Sequence, residues 1–169
     1  MERILIGNIE GKEGDKGDTG LGFPPGGFKG QFMAKKSDED FDIEWQPETK
    51  SIVLEACGDL TVGQIKGYVP SPMALQITGI KAIAITAPTG ADLILDINKN
   101  GTTIYTTQAN RPIIPAGDTS VVADLPDDID LLEDDMITID VDQIGSTVAG
   151  SNLAVVIKCN VVSGEFEPL

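Results

Sequence analysis

Glycine returns at every third position through one short stretch of this chain, as Gly11, Gly14, Gly17 and Gly20 in GKEGDKGDTG. Three polyproline-II-like strands can wind about a common axis only if the residue crowding that axis has no side chain. A strict triplet glycine therefore specifies three chains together rather than one alone. Lys16 and Asp18 flank Gly17 and set opposite charges on neighbouring strands. Two readings stand at this point: a triple helix about 30 Å long at ~3.1 Å per residue, or a solvated glycine-rich linker that keeps the period by accident. Three triplets without an internal proline do not hold together unaided, so the flanking residues decide between them.

Before the triplets, residues 1–10 carry an apolar peg, Ile4, Leu5 and Ile6. Too short to fold alone, it reads as a peptide that docks on a larger partner. Residues 11–27 form the stalk, whose period breaks at Gly20-Leu21-Gly22 and loosens into Phe23-Pro24-Pro25-Gly26-Gly27, where three strands diverge. Residues 28–50 read as a β-hairpin with a first strand over 30–35, a polar turn at Ser37-Asp38 and a second strand over 41–45. Phe41, Ile43 and Trp45 then share one face. On an isolated hairpin that face would be wet, so it is expected to pack against its own copies around a trimer axis.

The residues Gly30, Gln31, Lys35, Lys36, Ser37, Asp40, Phe41, Asp42 and Trp45 spell GQ-x-x-x-KKS-x-x-D-F-D-x-x-W directly after the triplets. The pattern resembles the linker module of tailed-bacteriophage tail fibres and other virion fibres. The opening ILIGNIEGKEGDKGDTG is similar in placement to phage minor tail proteins that run straight into Gly-X-Y repeats. The likeness covers about the first 46 residues. It implies a virion structural protein, a homotrimer with a collagen-like triple-helical stalk, made in the host cytoplasm and attached through its N-terminus to a tail, neck or capsid protein. Phe32 stands where a smaller aliphatic residue is more usual.

Residues 51–163 read as strands throughout, and 164–169 as a tail. Short strands are expected over 51–56 and 63–69, and a long or bent one over 73–87, interrupted at Gly79. Asn100-Gly101, between strands over 91–99 and 102–107, is the dipeptide that best tolerates a type I′ turn. Pairing Lys99 with Thr102 sets Ile97 opposite Ile104 and Leu95 opposite Thr106, leaving Asp96, Asn98, Thr103 and Tyr105 outside. An edge strand and turn follow over 111–118, a strand over 120–125, and a helical turn or an acidic loop over 127–135. Residues 136–142 point Ile137, Ile139 and Val141 inward, and 152–162 point Leu153, Val155, Ile157, Cys159 and Val161 inward. Some eight strands without a helix to cover a sheet describe an all-β antiparallel sandwich of jelly-roll type.

Composition removes several functions. The net charge is −15, with residues 1–50 holding 7 Lys and Arg against 11 Asp and Glu and the remainder 5 against 16. Nucleic acid and anionic membrane are therefore excluded as partners. The sequence has no histidine, which removes the usual general base and the Ser-His-Asp and Cys-His nucleophiles. Neither a signal peptide nor a bilayer-spanning run is evident. Cys57 and Cys159 lie in apolar surroundings and read as buried free thiols, with no metal-ligand spacing. Asp96-Ile97-Asn98-Lys99-Asn100-Gly101 matches the first half of a calcium loop, yet Thr107 stands where its closing glutamate belongs. Asp96, Asn98, Asp140 and Asp142 are weak candidates for a cation, and no other cofactor is implied. The leading expectation is a non-enzymatic fibre with an outward knob that binds host-surface carbohydrate. A head or neck fibre, or a capsid decoration without a receptor, is the alternative. A glycan depolymerase ranks behind both.

Overall fold

The computed structural model describes residues 24–27 and 31–162. The peg Ile4, Leu5 and Ile6, the glycines Gly11, Gly14, Gly17 and Gly20, and the tail 164–169 lie outside those residues. Strands β1 (Gln31–Lys35) and β2 (Ile43–Pro47) pair as an antiparallel hairpin. The strands that follow are β3 (Thr49–Asp59), β4 (Gly63–Pro70), β5 (Leu75–Thr86), β6 (Leu93–Lys99), β7 (Thr102–Thr103), β8 (Ile113–Ile114), β9 (Ser120–Ala123), β10 (Asp130–Leu131), β11 (Met136–Gln143) and β12 (Ser151–Val161). Among the described residues the helical structure is one 3₁₀ turn, Gln108–Asn110, and no helix is long and apolar enough to cross a membrane.

Two five-stranded antiparallel sheets form a sandwich. The first runs β10-β5-β12-β3, with β9 also on β5; the second runs β4-β11-β6-β7, with β8 also on β6. Successive long strands alternate between sheets, and the earliest pair with the latest, β3 with β12 and β4 with β11. Period-2 alternation drives this arrangement. On β3, Ile52, Leu54 and Ala56 are buried while Ser51, Val53 and Glu55 face out. Leu153, Val155, Ile157 and Cys159 line the same core from β12, and Leu95, Ile97, Ile137, Ile139 and Val141 meet them from the second sheet. Each such side chain contributes roughly 1.5–3 kcal/mol by leaving water. Gly79 marks the expected interruption of β5: the pairing with β12 slips between Lys158 and Cys159, and Thr78 Oγ1 donates to the Lys158 carbonyl at 3.2 Å.

Several expectations are corrected. Strand β3 begins at Thr49, before the expected boundary at residue 51, because its ladder with β12 extends to Asn160. Cys57 is exposed, since the alternation that buries Leu54 and Ala56 turns it outward; Cys159 is buried, and burial pushes its thiol up to about 11. Residues 127–135 form no helix, and Asp130–Leu131 instead pairs with β5 at Gln76 and Leu75. The Asn100-Gly101 turn has positive φ at both residues, 53° and 82°, and Lys99 pairs with Thr102 as expected. The ladder stops at Thr103, however, and Leu95 does not pair with Thr106. The Tyr105 amide donates to Thr103 Oγ1 at 3.1 Å, which breaks the alternation and sends the Tyr105 ring into the core. Burial, with the charges of Asp96 and Asp124 behind it, pushes the Tyr105 hydroxyl well above its ordinary value.

Candidate functional site

The four weak cation candidates meet on the outer face of the second sheet. Strands β6 and β11 run antiparallel with Asp140 opposite Asp96 and Thr138 opposite Asn98. The protein's own donors engage these groups. Asp96 Oδ1 accepts from the Ile97 amide at 2.9 Å and from Thr103 Oγ1 at 2.7 Å. Asn98 Nδ2 donates to Asp140 Oδ2 at 3.0 Å, and Asp142 pairs with the Arg111 guanidinium. Among the described residues no three acidic or thiol groups are gathered to hold a metal ion. Partial burial raises the Asp96 carboxyl, opposed by its bonds from Thr103 and Ile97. The half-match to a calcium loop is likewise accounted for. Asn100 Oδ1 accepts from the Met136 amide at 2.8 Å and its Nδ2 donates to Asp135, while Thr107 donates its amide to Asp127 at 2.7 Å. That amide is the main cause of a lowered Asp127 carboxyl.

Beside these residues lies an open cleft of about 230 Å³ lined by Gln64, Asn98, Asn100, Gly101, Met136, Thr138 and Asp140. Tyr68 stands opposite Thr138 on β4 and is 69% exposed. Facing residues on adjacent strands hold their Cβ atoms about 5 Å apart, so Tyr68 lies beside Thr138, which lines the cleft. Amide, hydroxyl and carboxylate groups next to an exposed ring suit a hydroxyl-rich ligand. Of the two tyrosines, only Tyr68 is placed to meet one, because Tyr105 is internal. Gln64 and Thr138 were not singled out from sequence; the alternation of β11 gives the face of Thr138, but the irregular pairing of β4 between Gly63 and Gly67 hides that of Gln64.

The hairpin residues fall differently from expectation. Ile43 and Trp45 lie two apart on β2 and share a face, with Trp45 opposite Met33. Phe41 does not join them: it sits in the turn at φ 64°, 71% exposed. The turn is clasped by the Lys36 amide donating to the Asp42 carbonyl at 2.9 Å and by Ser37 Oγ donating to the Asp42 carboxylate, so the second strand starts after Asp42. Trp45 has a further contact. Its Nε1 donates to the Pro24 carbonyl at 3.0 Å, and a Cβ on Gly27 would lie 2.6 Å from its Cε2. The indole thus clamps the Pro-Pro-Gly-Gly segment where the expected stalk ends. No family model, curated protein or solved structure matches the chain.

Proposed function

We propose that the chain is the subunit of a homotrimeric, non-enzymatic short fibre on the virion of a tailed bacteriophage. In this reading residues 1–10 anchor it to a tail, neck or capsid protein, the collagen-like triplets form a stalk, and the sandwich is an outward knob. One observation carries the reading: in a single chain, glycines at every third position lead into a Pro-Gly segment gripped by the tryptophan of the GQ-x-x-x-KKS-x-x-D-F-D-x-x-W hairpin. The strand order supports it. The first strand of the sandwich on its last, and alternation between sheets with β5 and β6 inside, suit a jelly roll, a form used by capsid and lectin domains.

The cleft beside Tyr68 is the place on this knob for host-surface carbohydrate. The sedimentation mass of the full chain tests the assembly: three times 17.8 kDa is expected, and a monomer at micromolar concentration sinks it. Antibody-labelled virions imaged as single particles separate a tail fibre from a head or neck fibre. Glycan-array binding that falls at least tenfold in Tyr68→Ala supports the adhesin role, whereas an array with no bound glycan favours a decoration without a receptor.

A further inference from the structure

The outward face of the first sheet carries a group of exposed aliphatic side chains where a solvated sheet face should be polar. Its ladders set Val53, Val156, Lys81 and Val122 side by side across β3, β12, β5 and β9, with Glu55, Ala154, Ile83 and Ser120 in the next row. Strands stand about 4.8 Å apart, so each row spans roughly 14 Å. Val122 is 74% exposed, Val53 is 49% exposed, and Ile85, two residues beyond Ile83 on the same side of β5, is 75% exposed. An antiparallel sheet with one wet face normally turns its polar residues outward. Single exposed aliphatics need no explanation, but a contiguous group marks a contact surface.

Charge singles out the same face. Lys81 and Lys158 stand there against Glu55, with Asp130 at the β10 edge, on a chain of net charge −15. The outer face of the second sheet instead carries Asp96, Asp140 and Asp142, the last paired with Arg111.

We propose that this face of the first sheet is the surface through which the copies of the chain pack against one another, with Val53, Val156 and Val122 at its centre. The inference rests on the reading of the triplet glycines as a three-chain stalk. That reading also identifies the occupant. Three triplets cannot hold three chains, and the hairpin face expected to meet its copies loses Phe41 to the turn, so the sandwiches supply contact area. A shared stalk and a short hairpin bring the copies to millimolar effective concentration. Contacts around a threefold ring are heterologous, so Lys81 and Lys158 meet a different part of the neighbouring copy, whose surface is predominantly acidic. Packing by the opposite face would bring carboxylates together.

The test compares the full chain, the double variant Val53→Glu/Val122→Glu and the control Leu132→Glu by sedimentation equilibrium. All three substitutions are at exposed positions, and Leu132 lies in the acidic loop after β10. The wild type and the control are expected to be trimers, with association at least tenfold weaker in the double variant and an unchanged far-UV spectrum. A double variant that associates like the wild type overturns the inference and leaves the three-chain stalk standing. A control weakened as much as the double variant also overturns it, since added charge alone would then explain the effect. A monomeric wild type removes the stalk reading itself. A second measurement needs no variant: Cys57, exposed on the same side of β3, is expected to react with a thiol reagent several-fold faster once dilution separates the copies. A rate independent of dilution across the dissociation range counts against the proposed face.

Discussion

Gly27 has φ +98°, and the Trp45 ring occupies the space a side chain would need. Gly27→Ala therefore incurs both a left-handed backbone for a residue with a Cβ, about 1–3 kcal/mol, and displacement of the indole. Trp45 is the chain's sole tryptophan, so its emission reports the event directly. A red shift and loss of the Pro24 contact are expected in Gly27→Ala, and unchanged emission would contradict the clamp. Tyr105 offers a test in pH. Its hydroxyl is raised by burial, so the native state keeps the proton after the unfolded chain has released it. The stability this gives is whole below the ordinary tyrosine value near 10 and is lost as pH rises above it toward the native value. Tyr105→Phe gives up only a long bond, 3.4 Å to the Asp124 carbonyl, worth under ~1 kcal/mol. Urea midpoints are expected to fall more steeply above pH 10 in the wild type than in Tyr105→Phe.

The turn between β6 and β7 shows how one residue serves two elements. Asn100 adopts the positive φ that a type I′ turn requires, and its amide group also bonds Met136 at the start of β11 and Asp135 before it. Substitutions separate the two roles. Asn100→Gly keeps the turn and loses the clasp, at about 1–2 kcal/mol; Asn100→Ala loses the clasp and adds left-handed strain of about 1–2 kcal/mol. Denaturant midpoints should therefore rank wild type, Gly, Ala, and equal midpoints for Gly and wild type would deny the clasp. The turn, its Lys99–Thr102 register and the inward residues of β11 and β12 were legible because they follow from local rules, a dipeptide and a period of two. Tyr105 and Phe41 were not. Each leaves its strand through a side-chain bond, Thr103 to the Tyr105 amide and Ser37 to Asp42, that alternation does not encode. The cleft was half legible: Asn98 and Asp140 were read as cation candidates, but the bond between them depends on β6 and β11 being neighbours, which is a property of the topology.

At the scale of the molecule, the sandwich closes by pairing its first strand with its last, Thr49 with Asn160 and Asp59 with Ser151. Pairings so distant in sequence make folding slow and dependent on the whole domain. On the three-chain reading the stalk would face the opposite problem, since its contacts run between chains and need two partners. Stability of the assembly is thereby tied to concentration: what binds the native state alone raises the melting temperature by mass action. On the three-chain reading, the wild-type melting temperature should climb with each tenfold rise in protein concentration. Gly17→Ala introduces a side chain at the crowded axis, where a single replacement locally disrupts a triple helix. It is expected to lower the melting temperature most at low concentration and least at high concentration, with little effect on the sandwich, whose residues it does not touch. Calorimetry across two decades of concentration distinguishes the cases. Melting independent of concentration in both proteins would mean that the glycines at 11, 14, 17 and 20 form a linker within one chain rather than an axis shared by three.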